Sequence, residues 1–140
     1  YASPLPAGNS LPHGVCQFLV VIPGDELLYF KMKNDIEDIC PEVRIIRSSS
    51  PLETGYIWLE IFHKSVSKGN GVLHLCELLG IQPGQTIGIG NDYNDIDLLE
   101  ITEHSFLTDN APEILKPHFQ LLPTNEEDAF AHAVERIVYE

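Results

Sequence analysis

Gly90-Asn91-Asp92-Tyr93-Asn94-Asp95 decides the reading of this chain. It follows the short apolar run 85–89, which carries glycine at 88, and it leads into a stretch with Ile96, Leu98 and Leu99 at helical spacing. A strand, a glycine exit and a helix start in that order place four oxygen-bearing side chains, at 91, 92, 94 and 95, where a parallel strand ends. In open parallel sheets ligands collect beyond the carboxyl ends of the strands. Hard cations of the magnesium kind take carboxylate and amide oxygens, few of them from protein, so Asn91, Asp92 and Asp95 are candidate metal ligands. The Asn94 amide can hold a neighbouring carboxylate or an incoming anion in place. The helix start adds about 0.3–1 kcal/mol for an anion at an exposed site. An EF-hand is excluded by the missing glycine and ligand spacing. The dinucleotide fingerprint fails because Gly88-x-Gly90 is followed by Tyr93, and no GxxxxGK[ST] occurs.

Outward from this stretch the chain alternates helices and short strands. Ser67 caps an expected helix with Val72, Leu75, Cys76 and Leu79 on its apolar face and Gly80 at its end. Strands are expected at 105–107 and 119–122. Asn110 with Glu113, and Thr124 with Glu127, have the spacing of capping boxes, the second ahead of Ala129, Phe130, Ala133, Val134 and Ile137. Such alternation implies a parallel sheet with helices on its faces. Before residue 63 the texture differs. Residues 1–15 are rich in proline and glycine, 17–22 read as a buried strand, and Asp25 starts a helix with Leu27, Leu28, Met32, Ile36 and Ile39 on one face. The segments 43–47 and 56–62 form an expected antiparallel pair, with Ile57, Leu59 and Ile61 inward.

The charge balance narrows the chemistry. Eight Lys and Arg stand against twenty-one Asp and Glu, a formal net charge of −13. Nucleic acid and anionic membrane surfaces need clustered cations, so neither is an expected partner. No apolar run approaches the roughly 20 residues that span a bilayer. A small anionic substrate remains compatible where a metal or a placed lysine inverts the local potential. Lys64 and Lys68 are the nearest cations, and beyond 68 only Lys116 and Arg136 are basic; Lys68 in Ser67-Lys68-Gly69, at the start of the preceding helix, is the candidate cation for the 90–95 stretch. The three cysteines (Cys16, Cys40 and Cys76) show no CxxC and read as reduced core residues of a cytoplasmic protein.

Taken together, Ser67-Lys68-Gly69, then Gly90-Asn91-Asp92-Tyr93-Asn94-Asp95, then Asp109-Asn110-Ala111, resembles the C-terminal part of Cof-type hydrolases of the haloacid dehalogenase (HAD) superfamily. The family pattern is SKG, GDxxND and a GNA-like segment, and the similarity runs over about residues 55–138. The resemblance implies an α/β fold, a Rossmann-like parallel sheet with helices on both faces, here incomplete. Residues 63–140 are the expected C-terminal half of that core, and 1–62 a lead-in and the closing portion of an α+β cap. It implies a magnesium-dependent hydrolase of small phosphate monoesters such as sugar phosphates, acting through an aspartyl-phosphate. Lys68 matches the phosphate-neutralising lysine and Asn94 the asparagine that orients nucleophile and phosphate. Asp95 matches the second acid of the metal motif. Asn110 falls near the site, as a substrate-binding residue.

Two departures matter. The first metal-motif acid falls on Asn91, an amide that brings no charge, so the metal set rests between Asn91 and Asp92. The DxDGT motif that carries the family nucleophile is absent from these 140 residues. Without that carboxylate no aspartyl-phosphate forms, so this piece alone is expected to be inactive. A missing half also exposes a sheet edge through which copies can associate. The alternative class is a non-catalytic binding or assembly domain that keeps the scaffold, a reading favoured by the same two departures. A phosphoacceptor receiver domain fits poorly, because no acidic cluster lies near the N-terminus.

Overall fold

The computed structural model describes residues 14–49 and 55–139. The chain divides into two compact units, Tyr1–Ser65 and Val66–Glu140.

The first unit contains β1 (Phe18–Pro23), α1 (Glu26–Ile39), β2 (Val43–Ser49) and β3 (Tyr56–His63). The sheet order is β1-β3-β2, with β3 antiparallel to both neighbours and Leu59 opposite Val20 and Arg47. The alternation of β3 puts Ile57 and Leu59 into a core with Ile22, Tyr29 and Ile45, and Ile61 packs against it. Asp25 caps α1 by accepting the Leu27 and Leu28 amides at 2.9 and 3.1 Å. The buried stripe of α1 runs through Leu28, Tyr29, Met32 and Ile36. Leu27 stands one residue ahead of it, turned about 100° away, and is exposed, contrary to expectation. Ile39, the last helical residue, is exposed as well. Glu37 fastens α1 to the edge strand β2 by accepting the Ile45 amide at 2.9 Å and the Lys33 ammonium at 2.5 Å. Burial pushes the Glu37 carboxyl up, but the Lys33 and Ile45 hydrogen bonds and the charge of Arg44 outweigh it and hold it below the ordinary carboxylate range. The expected turn between β2 and β3 falls largely on 50–54, outside the described residues, as does most of the 1–15 lead-in.

The second unit contains α2 (Lys68–Leu79), β4 (Ile87–Gly90), α3 (Ile96–Ile101), β5 (His104–Thr108), β6 (Gln120–Leu122) and α4 (Ala129–Tyr139). Its three strands are parallel in the order β4-β5-β6. Neighbouring residues of β5 serve opposite faces. Leu107 packs with Leu99, Ala111 and Leu115, and Phe106 packs with Leu122, Ala129 and Ala133. Helix α3 therefore covers one face and α4 the other, as the strand–helix alternation implies. Ser67 caps α2 by accepting the Asn70 amide at 3.1 Å, and Gly80 closes it in the left-handed region at φ 68°. Of the expected apolar face of α2 only Cys76 is buried; Leu75 and Leu79 are exposed.

Two expected capping boxes take other forms. The Asn110 segment opens no α-helix: turns follow it, then a 3-10 turn at Lys116–His118. Thr124 donates both its amide and its hydroxyl to Glu127, at 3.2 and 2.7 Å, which closes a turn ahead of α4. Cys16 and Cys40 are exposed, one ahead of β1 and the other ending α1, so only Cys76 behaves as a core residue. No helix among the described residues is long and apolar enough to cross a membrane.

Candidate functional site

The 90–95 stretch leaves β4 as a 3-10 turn, Tyr93–Asp95, before α3 begins at Ile96. Asp92 caps that turn, its Oδ1 accepting the Tyr93 amide at 2.8 Å. Asp95 returns the favour as the second half of a capping box, its Oδ2 accepting the amides of Asn91 at 2.8 Å and Asp92 at 3.1 Å. These bonds use backbone donors that the tight strand exit would otherwise leave unmet. They also aim Asp95, only 3% exposed, so that its other oxygen faces the start of α2.

Lys68 comes from that helix start. Its ammonium pairs with Asp95 Oδ1 and lies 3.4 Å from Asn94 Oδ1. Lys68 thus meets the neighbouring pair Asn94 and Asp95, 26 and 27 residues further along the chain, at one point. The lysine side chain is half exposed, so one side of its charge faces solvent while the other is fixed by a buried carboxylate. Such a cation receives an anion with little reorganisation.

Two glycines make this approach physically feasible. A Cβ at Gly90 would lie 2.5 Å from Asp95 Cβ, so any side chain there displaces the carboxylate. A Cβ at Gly69 would lie 2.6 Å from the Asp97 carbonyl oxygen, so the glycine after Lys68 lets α2 close on α3. The sequence displayed both glycines; only the contacts give their reasons.

Asn91 and Asn110 are exposed. Asn110 Oδ1 accepts the Asn125 amide at 3.2 Å, which ties the β5 exit to the loop ahead of α4. The same exit is braced by Lys116, whose ammonium reaches Glu113 at 2.7 Å and Asp109 at 3.0 Å; these two hydrogen bonds raise its pKa above the ordinary lysine value. Asn110 therefore has a fastening role that the sequence reading did not foresee. The residues Thr108, Asn125 and Asp128, which line a cleft on the same edge, were also missed. The non-glycine αL conformation of Asp128, φ 56°, has no sequence signal beyond the tolerance of Asp for that region.

Among the described residues no three His, Cys, Asp or Glu side chains cluster as a metal site. The oxygens at hand are those of Asn91, Asp92, Asn94 and Asp95. That donor chemistry suits a hard divalent ion that keeps several waters, and does not suit zinc or copper.

The family model for haloacid dehalogenase-like hydrolases matches residues 12–134. The chain belongs to that family. A provisionally named phosphatase of Streptococcus pyogenes serotype M6 is 29% identical over 121 residues, which are 86% of this chain and 43% of the relative. The similarly named YxeH of Bacillus subtilis is 31% identical over 103 residues, 73% of this chain and 36% of the relative. Among solved structures, a haloacid dehalogenase-like hydrolase from Bacteroides thetaiotaomicron superposes with a TM-score of 0.63 at 22% identity, covering 91% of this chain and 46% of the other. The subclass IIB sugar phosphatase BT4131 gives 0.68 at 18% identity, with coverages of 88% and 43%. The α/β core is thus of the haloacid dehalogenase fold. The chain spans less than half the length of these relatives.

Proposed function

We propose that this chain is the phosphate-binding half of a magnesium-dependent phosphatase acting on a small phosphorylated metabolite such as a sugar phosphate. The observation that carries the reading is the meeting of Lys68, Asn94 and Asp95 at the carboxyl end of β4. Lys68 neutralises the phosphoryl oxygens, and its place is fixed by Asp95, whose own aim is set by the Asn91 and Asp92 amides. Asn94 donates its amide N–H to a phosphoryl oxygen or to the attacking carboxylate. Asn91, Asp92 and Asp95 hold the magnesium ion, directly or through water. The ion supplies Lewis-acid stabilisation of developing phosphoryl charge. The first unit serves as the closing part of the cap. The nucleophile, an aspartate in a DxDGT motif, lies outside these 140 residues, so the isolated chain is inactive. The strand edge left open at β4 then favours self-association. Family membership and the names of the relatives support the hydrolase class.

The test has two parts. Magnesium chloride added to the 15N-labelled chain should shift the amide signals of Asn91, Asp92 and Asp95, while p-nitrophenyl phosphate stays unhydrolysed. In the longer chain, where the same reading frame encodes DxDGT upstream, Lys68→Ala and Asp95→Ala should each lower kcat by about 10²–10³-fold. Turnover by the 140-residue chain, or near-normal rates in both variants, would sink the reading. The rival, a non-catalytic scaffold domain, predicts that no upstream DxDGT exists.

A further inference from the structure

Of the asparagines in the sequence only Asn70 precedes a glycine. The pair Asn70-Gly71 lies in the first turn of α2, just beyond Lys68, and both residues are exposed. An asparagine side chain is open to attack by the backbone nitrogen of the next residue, and glycine hinders that attack least because it has no Cβ. The other asparagines precede serine, aspartate, alanine or glutamate, whose Cβ crowds the same approach. The two glycines of this turn also differ in kind. Gly69 is demanded by the fold, since a Cβ there would strike the Asp97 carbonyl oxygen. A Cβ at Gly71 would meet nothing within 4 Å, so packing gives this glycine no reason to be one.

The helix is what holds the reaction back. The Gly71 N–H is bonded to the Ser67 carbonyl at 3.0 Å, and that bond must break before the nitrogen can turn to the Asn70 side chain. The turn is nevertheless the weak end of α2. It holds two poor helix formers, and the ends of helices open before their middles. We infer that Asn70 is a site of self-modification, converted through Gly71 into aspartate and isoaspartate. The Gly71 nitrogen attacks Asn70 Cγ and closes a cyclic imide. Its proton leaves with the side-chain nitrogen as ammonia. Water then adds to either imide carbonyl. Cleavage of one C–N bond gives aspartate with the original backbone; cleavage of the other runs the main chain through Cβ and Cγ and gives isoaspartate. Both products place a carboxylate beside Lys68, the only charged side chain between Ser67 and Gly71. Isoaspartate also lengthens the backbone between Ser67 and Gly71, which breaks the register of their hydrogen bond and shifts the turn that carries Lys68. The modification depends on this turn alone, whatever the chain hydrolyses.

The experiment incubates the 140-residue chain in mildly alkaline buffer at body temperature and cuts it with a Glu-specific protease. Cleavage after Glu60 and Glu77 releases the peptide 61–77, which contains Asn70 and no other asparagine or glutamine. The mass gain of an amide-to-acid exchange in that peptide therefore locates the event at Asn70. It should appear there before any other asparagine-containing peptide changes, and the product should separate into aspartyl and isoaspartyl forms. Gly71→Ala should slow the conversion at least about fivefold, from the higher helix propensity of alanine alone. The same variant should melt no lower than the parent, because its methyl enters open space. The proposal is overturned if peptide 61–77 keeps its mass while other peptides gain, or if Gly71→Ala converts as fast as the parent. Aspartate as the sole product would overturn it as well, since direct hydrolysis by water does not pass through Gly71.

Discussion

Asp95 uses its two oxygens in two directions, one for a capping box and the other for Lys68. Its position three residues after Asp92 marks it as a capping-box partner, and its match to a family acid marks it for the site. The structure shows one oxygen on the Asn91 and Asp92 amides and the other on Lys68. Asparagine at 95 keeps one acceptor and turns an NH2 toward donors, inside a nearly buried position. Discounting for the half-exposed Lys68, Asp95→Asn should cost about 2 kcal/mol, read as a lower urea midpoint. Lys68→Ala leaves the backbone bonds of Asp95 intact and should cost under about 1 kcal/mol. Equal losses would mean that Lys68 is a strut of the fold and no more. Gly90→Ala forces its methyl against Asp95 and should cost about 1–3 kcal/mol while moving the Asp95 signals. An unchanged midpoint would show that the β4 exit yields freely.

At the scale of elements, strands and helix caps were legible and loop partners were not. The alternation of Ile57, Leu59 and Ile61 foretold β3, and Asp25 and Ser67 foretold their helices, because period and cap are local properties. Asn110 has the local spacing of a helix cap, but its partner, the Asn125 amide, lies fifteen residues on and is set by tertiary packing. The spacing of the α2 leucines names a face without saying what covers it, and Leu75 and Leu79 are exposed. The Thr124–Glu127 turn supports a pH prediction. Glu127 is held below the ordinary carboxylate range, chiefly by the hydrogen bond from the Thr124 hydroxyl and then by that from its amide. A lowered folded pKa means that the turn's contribution is present above the unfolded value and is lost as pH falls through the folded one. The Thr124 amide signal should therefore titrate with a midpoint below that of an ordinary glutamate, and Glu127→Gln should abolish the titration. A midpoint at or above the ordinary value would show that the bond does not persist in solution.

For the molecule as a whole, the open question is what meets the free side of β4. Among the described strands β4 pairs only with β5, so its other edge presents unpaired amides and carbonyls. That edge lies beside the candidate site, and Ile87 on it is 41% exposed. The preceding helix adds Leu75, Leu78 and Leu79, each more than half exposed. An unpaired strand together with solvent-facing leucines is a template for association. With a second copy, a twofold axis would pair the two β4 edges antiparallel and join two three-stranded sheets into one of six. Light scattering across a concentration series should then show a monomer–dimer equilibrium for the 140-residue chain. A lysine at the edge blunts such pairing, so Ile87→Lys should shift the equilibrium to monomer, while Phe130→Lys, on another part of the unit, should leave it unchanged. A monomer at every concentration would end the self-pairing idea. A dimer indifferent to Ile87→Lys would move the contact away from β4. The same experiment bears on the site, because a β4 edge engaged with its own copy is closed to any strand that would bring an aspartate to Lys68. The longer chain, if it supplies that strand itself, should be monomeric under conditions where the 140-residue chain is not.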